Sequence, residues 1–134
     1  LKNIFFAFYS LIIINTAFGM KQPKEITIIN NTSSRVTIDF GWVFYQKQDK
    51  LAVRTRQIDA GKQETLKLDA MYFADYPFIQ TPSSKQLIQL PIPGEKDLPF
   101  GAVLTLKEIN KNPTATNQAG KTIGRLVPYK KRHQ

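Results

Sequence analysis

The chain has 134 residues, no cysteine, one histidine and a formal net charge of +9. A chain of this length makes one domain and buries a core without covalent staples. The missing cysteines exclude a disulfide framework, a thiolate metal site and a cysteine nucleophile.

Residues 1–19 carry the three-part pattern of a secretory signal peptide. Lys2 gives a positive start, residues 4–14 run apolar around Ser10, and Ala17-Phe18-Gly19 offers small residues for cleavage. The apolar run is short of the ~20 residues that span a bilayer. The alternatives are a retained membrane anchor and a start at Met20. The expected division is a leader over 1–19, one β-sandwich domain over 20–129 and a basic tail over 130–134. Loss of Lys2 with the leader takes the net charge from +9 to +8. The leader places the mature chain in the periplasm or outside the cell.

Residues 25–30, rich in Ile and Thr, predict a first strand. Asn31-Thr32-Ser33-Ser34 is turn chemistry, because short polar side chains bond their own backbone. A second strand over 35–45 alternates Val36, Ile38, Phe40, Trp42 and Phe44 with mostly polar neighbours. Side chains alternate across a strand, so that stripe is expected to face the core. The two strands are expected to form a hairpin.

Leu51, Val53 and Thr55 mark a third strand, and residues 64–69 a fourth, with Asp59-Ala60-Gly61-Lys62 as the turn. The stretch from Ile58 to Leu66 resembles the strand-turn-strand step of exported immunoglobulin-like sandwiches, with Gly61 in the turn and Thr65-Leu66 resuming the ladder. Residues 70–74 are expected to make one helical turn. Residues 86–90, 101–109 and 122–129 complete the strands, the last an edge strand or strand end because of Pro128. Residues 90–100 hold three prolines and read as a stiff loop. Residues 110–120, polar with Pro113 and Gly120, read as a long mobile loop. The expected fold is an all-β, antiparallel, immunoglobulin-like β-sandwich of about seven strands.

The inventory for chemistry is thin. A serine or threonine nucleophile needs a positioned base, and the one histidine, His133, lies in the C-terminal tail. Zinc favours Cys and His, and no acidic spacing matches a calcium loop. Gly120-Lys121-Thr122 echoes the end of a phosphate loop, but Ala115 stands where that motif needs glycine. Glu95-Lys96-Asp97 reads as a charged loop. No metal and no small-molecule cofactor is expected, and the protein is not expected to be an enzyme.

Two surface features suggest binding. Residues 71–78 hold four aromatics, and Tyr72 and Tyr76 near Arg54 and Arg56 could stack on sugar rings or bases. After Glu108 no acid occurs, while Lys111, Lys121, Arg125, Lys130, Lys131 and Arg132 do. The leading expectation is a non-catalytic exported module that binds a protein or envelope component. The alternative is an electrostatic binder of anionic membrane, polysaccharide or nucleic acid through Lys121, Arg125, Lys130, Lys131 and Arg132. A small carboxylate-dependent hydrolase ranks last, because the ten acids select no pair. Asn30 and Asn31 also begin overlapping N-glycosylation motifs.

Cleavage near Gly19 predicts a mature N-terminus at or close to Met20 by intact-mass spectrometry. A soluble, abundant form that retains residues 1–19 would contradict export.

Overall fold

The computed structural model describes residues 23–45, 50–68, 71–73 and 75–129, with backbone alone over 42–45, 50–54 and 71–72. The expected leader and basic tail lie outside the described residues. Ten strands are described and, among the described residues, no helix. They are β1 (Glu25–Asn30), β2 (Val36–Tyr45), β3 (Lys50–Ile58), β4 (Gln63–Lys67) and β5 (Met71–Phe73). Then follow β6 (Phe78–Gln80), β7 (Gln86–Gln89), β8 (Val103–Ile109), β9 (Asn112–Thr116) and β10 (Arg125–Pro128).

The strands form two sheets, ordered β4-β1-β8-β9 and β10-β7-β6-β2-β3, with β5 also pairing β2. All pairings are antiparallel except β1 with β8. One apolar cluster draws on both sheets. Ile26, Ile28, Leu104 and Leu106 come from the first, and Val36, Ile38, Ile79 and Ile88 from the second. This arrangement is consistent with a β-sandwich. Each such side chain stabilises the fold by about 1.5–3 kcal/mol when buried.

The first two strands are not a hairpin. β1 and β2 lie in different sheets, so residues 31–35 cross from one layer to the other. Alternation shows which face of a strand is buried, and both strands bury one. It does not say whether they share a sheet.

The crossing is built around Asn30. β1 alternates inward Ile26, Ile28 and Asn30, so an amide sits where a third aliphatic residue would continue the stripe. Its Nδ2 donates to the carbonyls of Ser34 at 3.0 Å and Ile58 at 2.9 Å. Its Oδ1 accepts from the Thr32 amide at 3.0 Å and faces the Thr32 hydroxyl at 2.6 Å. That hydroxyl also lies 2.8 Å from the Ser34 carbonyl, and its single proton serves one oxygen at a time. The Asn30 backbone ties in the second crossing, from β3 to β4. Its N–H donates to Lys62 O at 2.8 Å, and its carbonyl accepts from Gly61 N–H at 2.7 Å.

β2 carries a bulge. Asp39 faces Thr55 and Gly41 faces Arg54, so β2 holds one extra residue, Phe40, between them. Gly41 takes a φ of 67° there, which glycine adopts without strain, and its N–H is capped by the Asp39 carboxylate at 2.7 Å. Val36, Ile38 and Phe40 are buried as the stripe predicts. The side chains of Trp42 and Phe44, beyond the bulge, lie outside the described residues.

Three strands depart from the expected pattern. Met71–Phe73 is strand β5 where a helical turn was expected over 70–74, and it pairs Tyr45, Phe44 and Val43. β6 is three residues long, too short for its alternation to register. β9 occupies the expected mobile loop; Ala115 is fully buried and each residue faces one on β8. Pro113 is tolerated because β9 ends its sheet. Pro128 likewise sits on the terminal strand β10, as expected.

The Phe40 ring is 3% exposed and lies 5.9 Å from that of Phe73. Phe40→Ala should therefore lose about 3–5 kcal/mol, as transfer and cavity terms combine. Urea unfolding measures this, and a loss below ~1 kcal/mol would mean that the site collapses freely around the smaller side chain.

Candidate functional site

The two ends of the molecule differ. At one, Glu108 at the end of β8 accepts from Ser33 N–H and hydroxyl, both at 3.3 Å, and its other oxygen lies 3.5 Å from the Ser83 hydroxyl. Polar groups there hold the loops to one another. β8 then runs back about 20 Å to Val103. At that far end the loops part to leave a seam.

The seam has two hollows, of about 490 Å³ and about 360 Å³. Both lie between residues 89–104 and 117–125, and Asp97 lines both. Each falls within the size range of ligand sites. Tyr76 closes one side of the larger hollow.

Each wall is pinned by local chemistry. After β7, the Gly94 N–H bonds Leu98 O at 2.8 Å and Leu98 N–H bonds Glu95 O at 3.1 Å. Leu98 is fully buried, so this tight loop is anchored while Glu95 and Asp97 stay exposed. The facing wall turns on Asn117, whose Oδ1 accepts from Ala119 N–H at 3.0 Å and Lys121 N–H at 2.9 Å. Thr122 then bridges back to Thr116, and Ile123 N–H bonds Ala115 O at 2.8 Å. Gly120-Lys121-Thr122 therefore leads into paired extended chain, not into the helix a phosphate loop requires.

Gly124 brings that wall against β7. Its φ is 81°, and a Cβ there would lie 2.6 Å from the Gln89 carbonyl oxygen and 2.9 Å from Ile88 Cγ2. No larger residue fits without displacing backbone. Arg125 then pairs Gln89 in the ladder, and its Nη2 donates to Gln89 Oε1 at 3.3 Å. Tyr76 is brought in by Pro77, whose carbonyl accepts from Leu90 N–H at 2.8 Å.

Three of the residues expected to bind are thus brought together: Tyr76, Lys121 and Arg125. Arg56 is elsewhere. It lies on β3, at the opposite edge of the sheet from β10, and its Nη1 sits 3.3 Å from Glu64 Oε1. Both side chains are partly solvated, so that pair contributes little, roughly 0–1 kcal/mol. Arg54 faces Gly41 and Tyr72 faces Phe44 in the backbone ladders, and their side chains lie outside the described residues. Lys130, Lys131 and Arg132 lie outside them too.

Glu95 and Asp97, read from the sequence as a plain charged loop, line the larger hollow beside Lys121 and Arg125. Two acids beside two cations make this part of the surface electrically balanced. Gln89 also joins the site, because β7 pairs β10. Among the described residues, no three Asp, Glu, His or Cys side chains cluster so as to hold a metal ion.

Of the two asparagines that begin glycosylation motifs, Asn30 is fully buried and its amide is committed, while Asn31 is exposed. Comparison of the chain with family profiles, with curated proteins and with solved structures gives no match.

Proposed function

We propose that this protein is an exported, immunoglobulin-like β-sandwich that acts as a non-catalytic binding module, engaging a protein or an envelope component through the seam. The observation that carries this reading is the seam itself. Two adjoining hollows lie between two anchored walls, and they gather Tyr76, Lys121 and Arg125 with Glu95 and Asp97. Binding side chains on well-held walls cost little ordering when a ligand arrives. Two sheets sharing one core support the immunoglobulin-like reading, and the leader pattern supports export.

The electrostatic reading is weakened at Lys121 and Arg125, where two carboxylates offset the cations and would repel a polyanion. It rests chiefly on Lys130, Lys131 and Arg132.

The two readings predict different outcomes when immobilised protein is offered a native envelope fraction. With the seam as binding surface, Arg125→Glu lowers retention of the bound component at least fivefold, and Arg56→Glu at the far sheet edge leaves it unchanged. Deleting residues 130–134 changes little. Equal retention on wild type and Arg125→Glu, with a steep fall on truncation or added salt, would replace the seam with the basic tail.

A further inference from the structure

Accepting the seam as the binding surface, we propose that its ligand is an uncharged oligosaccharide, lying along the two hollows across Asp97. Three observations select this class. The first is charge. A polyanion entering the larger hollow meets Glu95 and Asp97, and a polycation meets Lys121 and Arg125. Either ligand would bring like charges together. An uncharged polyhydroxyl chain meets no repulsion. Its hydroxyls donate to the two carboxylates and accept from the guanidinium and ammonium groups, and each such bond is charge-assisted.

The second is the aromatic. Tyr76 remains 45% exposed at the side of the larger hollow. A half-exposed phenol offers an apolar plate with a polar tip, which suits the C–H face of a sugar ring beside its hydroxyls. The third is extent. The hollows share Asp97 and lie between the same pair of segments, so the site is elongated. A small zwitterion matches the balanced charges of the larger hollow but leaves the smaller one unused. An extended peptide would gain most from backbone pairing at an open strand edge. The seam offers little of that: β10 ends at Pro128, and β9 is already engaged at Ala115 and Thr116 by residues 122 and 123.

Isotope-labelled full-length protein, followed by amide NMR, tests this. Four probes of three classes are titrated in parallel: neutral hexasaccharides of glucose and of N-acetylglucosamine, a sulfated heparin-derived hexasaccharide, and hexa-alanine. A neutral hexasaccharide is expected to shift the amides of Asp97, Phe100, Gly120 and Gly124 saturably. Raising NaCl from ~0.15 to ~0.5 M should change its affinity less than twofold, because no counterions are released. Tyr76→Ala should weaken it at least tenfold and Asp97→Ala at least fivefold, with the remaining spectrum intact as evidence of folding.

Shifts elsewhere on the molecule, or an unchanged affinity in Tyr76→Ala, would overturn the proposal. Should the peptide or the sulfated probe shift the seam amides while the neutral ones do not, the saccharide class is wrong and the seam remains a binding surface. Silence from all four probes overturns the saccharide class as well, and the seam then stands or falls on envelope capture by Arg125→Glu.

Discussion

Both sheet-to-sheet crossings described around β1 depend on one buried side chain, the amide of Asn30. The core-facing positions of β1 are otherwise aliphatic, and a buried amide without partners would cost about 1–3 kcal/mol for each unmet group. Here both N–H groups of the amide donate to carbonyls, and its oxygen accepts from the Thr32 N–H with the Thr32 hydroxyl also in reach. Its partners belong to three separate stretches of backbone: the turn after β1, the end of β3 and, through the Asn30 main chain, the turn before β4. Local turn chemistry therefore serves a long-range purpose. The neighbouring Arg35–Asp59 ion pair spans the same two crossings at 2.6 Å, but it is well exposed and adds little by comparison.

Closing one end so tightly shapes the other. With β1, β2, β3 and β4 held at the Asn30 end, the shared core fixes the two layers against each other. The connections over residues 90–102 and 117–124 lie at the far end of β8 and are long enough to stand apart. Each is anchored by inward residues, Leu98 in one and Ile123 in the other, both buried. The polar groups between the anchors are thus presented on a fixed frame, which is the requirement for recognition by hydrogen bonds. The two strand edges beside the seam offer a partner strand little: β9 is partly covered by its own chain, and β10 is short and ends in proline.

Much of the architecture is legible in the residues, and the failures have physical causes. The bounds of the first strand follow from its Ile and Thr content, and the inward stripe of Val36, Ile38 and Phe40 from period-two alternation. The bulge at Phe40 does not, because alternation counts residues and cannot see one inserted against a partner strand. β9 reads as a loop because Asn112-Pro113-Thr114 carries turn residues; pairing with β8 and the burial of Ala115 override that preference. The mistaken hairpin arises in the same way, since Asn30 and Thr32 show their turn chemistry in the sequence but not its long-range partners. At the seam, Tyr76, Lys121 and Arg125 stand out by residue type. Glu95, Asp97 and Gln89 join them through the β7–β10 ladder and the packing of Leu98, neither of which leaves a local signal.

Unfolding of Asn30→Ala and Asn30→Leu in urea tests the role of the buried amide most directly. Alanine removes the amide and leaves space; leucine removes it and restores apolar volume at a core position. If polar ties at the crossings govern the fold, both variants lose about 2 kcal/mol or more, because the Ile58 carbonyl and the Thr32 N–H lose their side-chain partner in either case, while the Thr32 hydroxyl keeps the Ser34 carbonyl. Wild-type stability in Asn30→Leu would contradict this and show that the position needs volume alone.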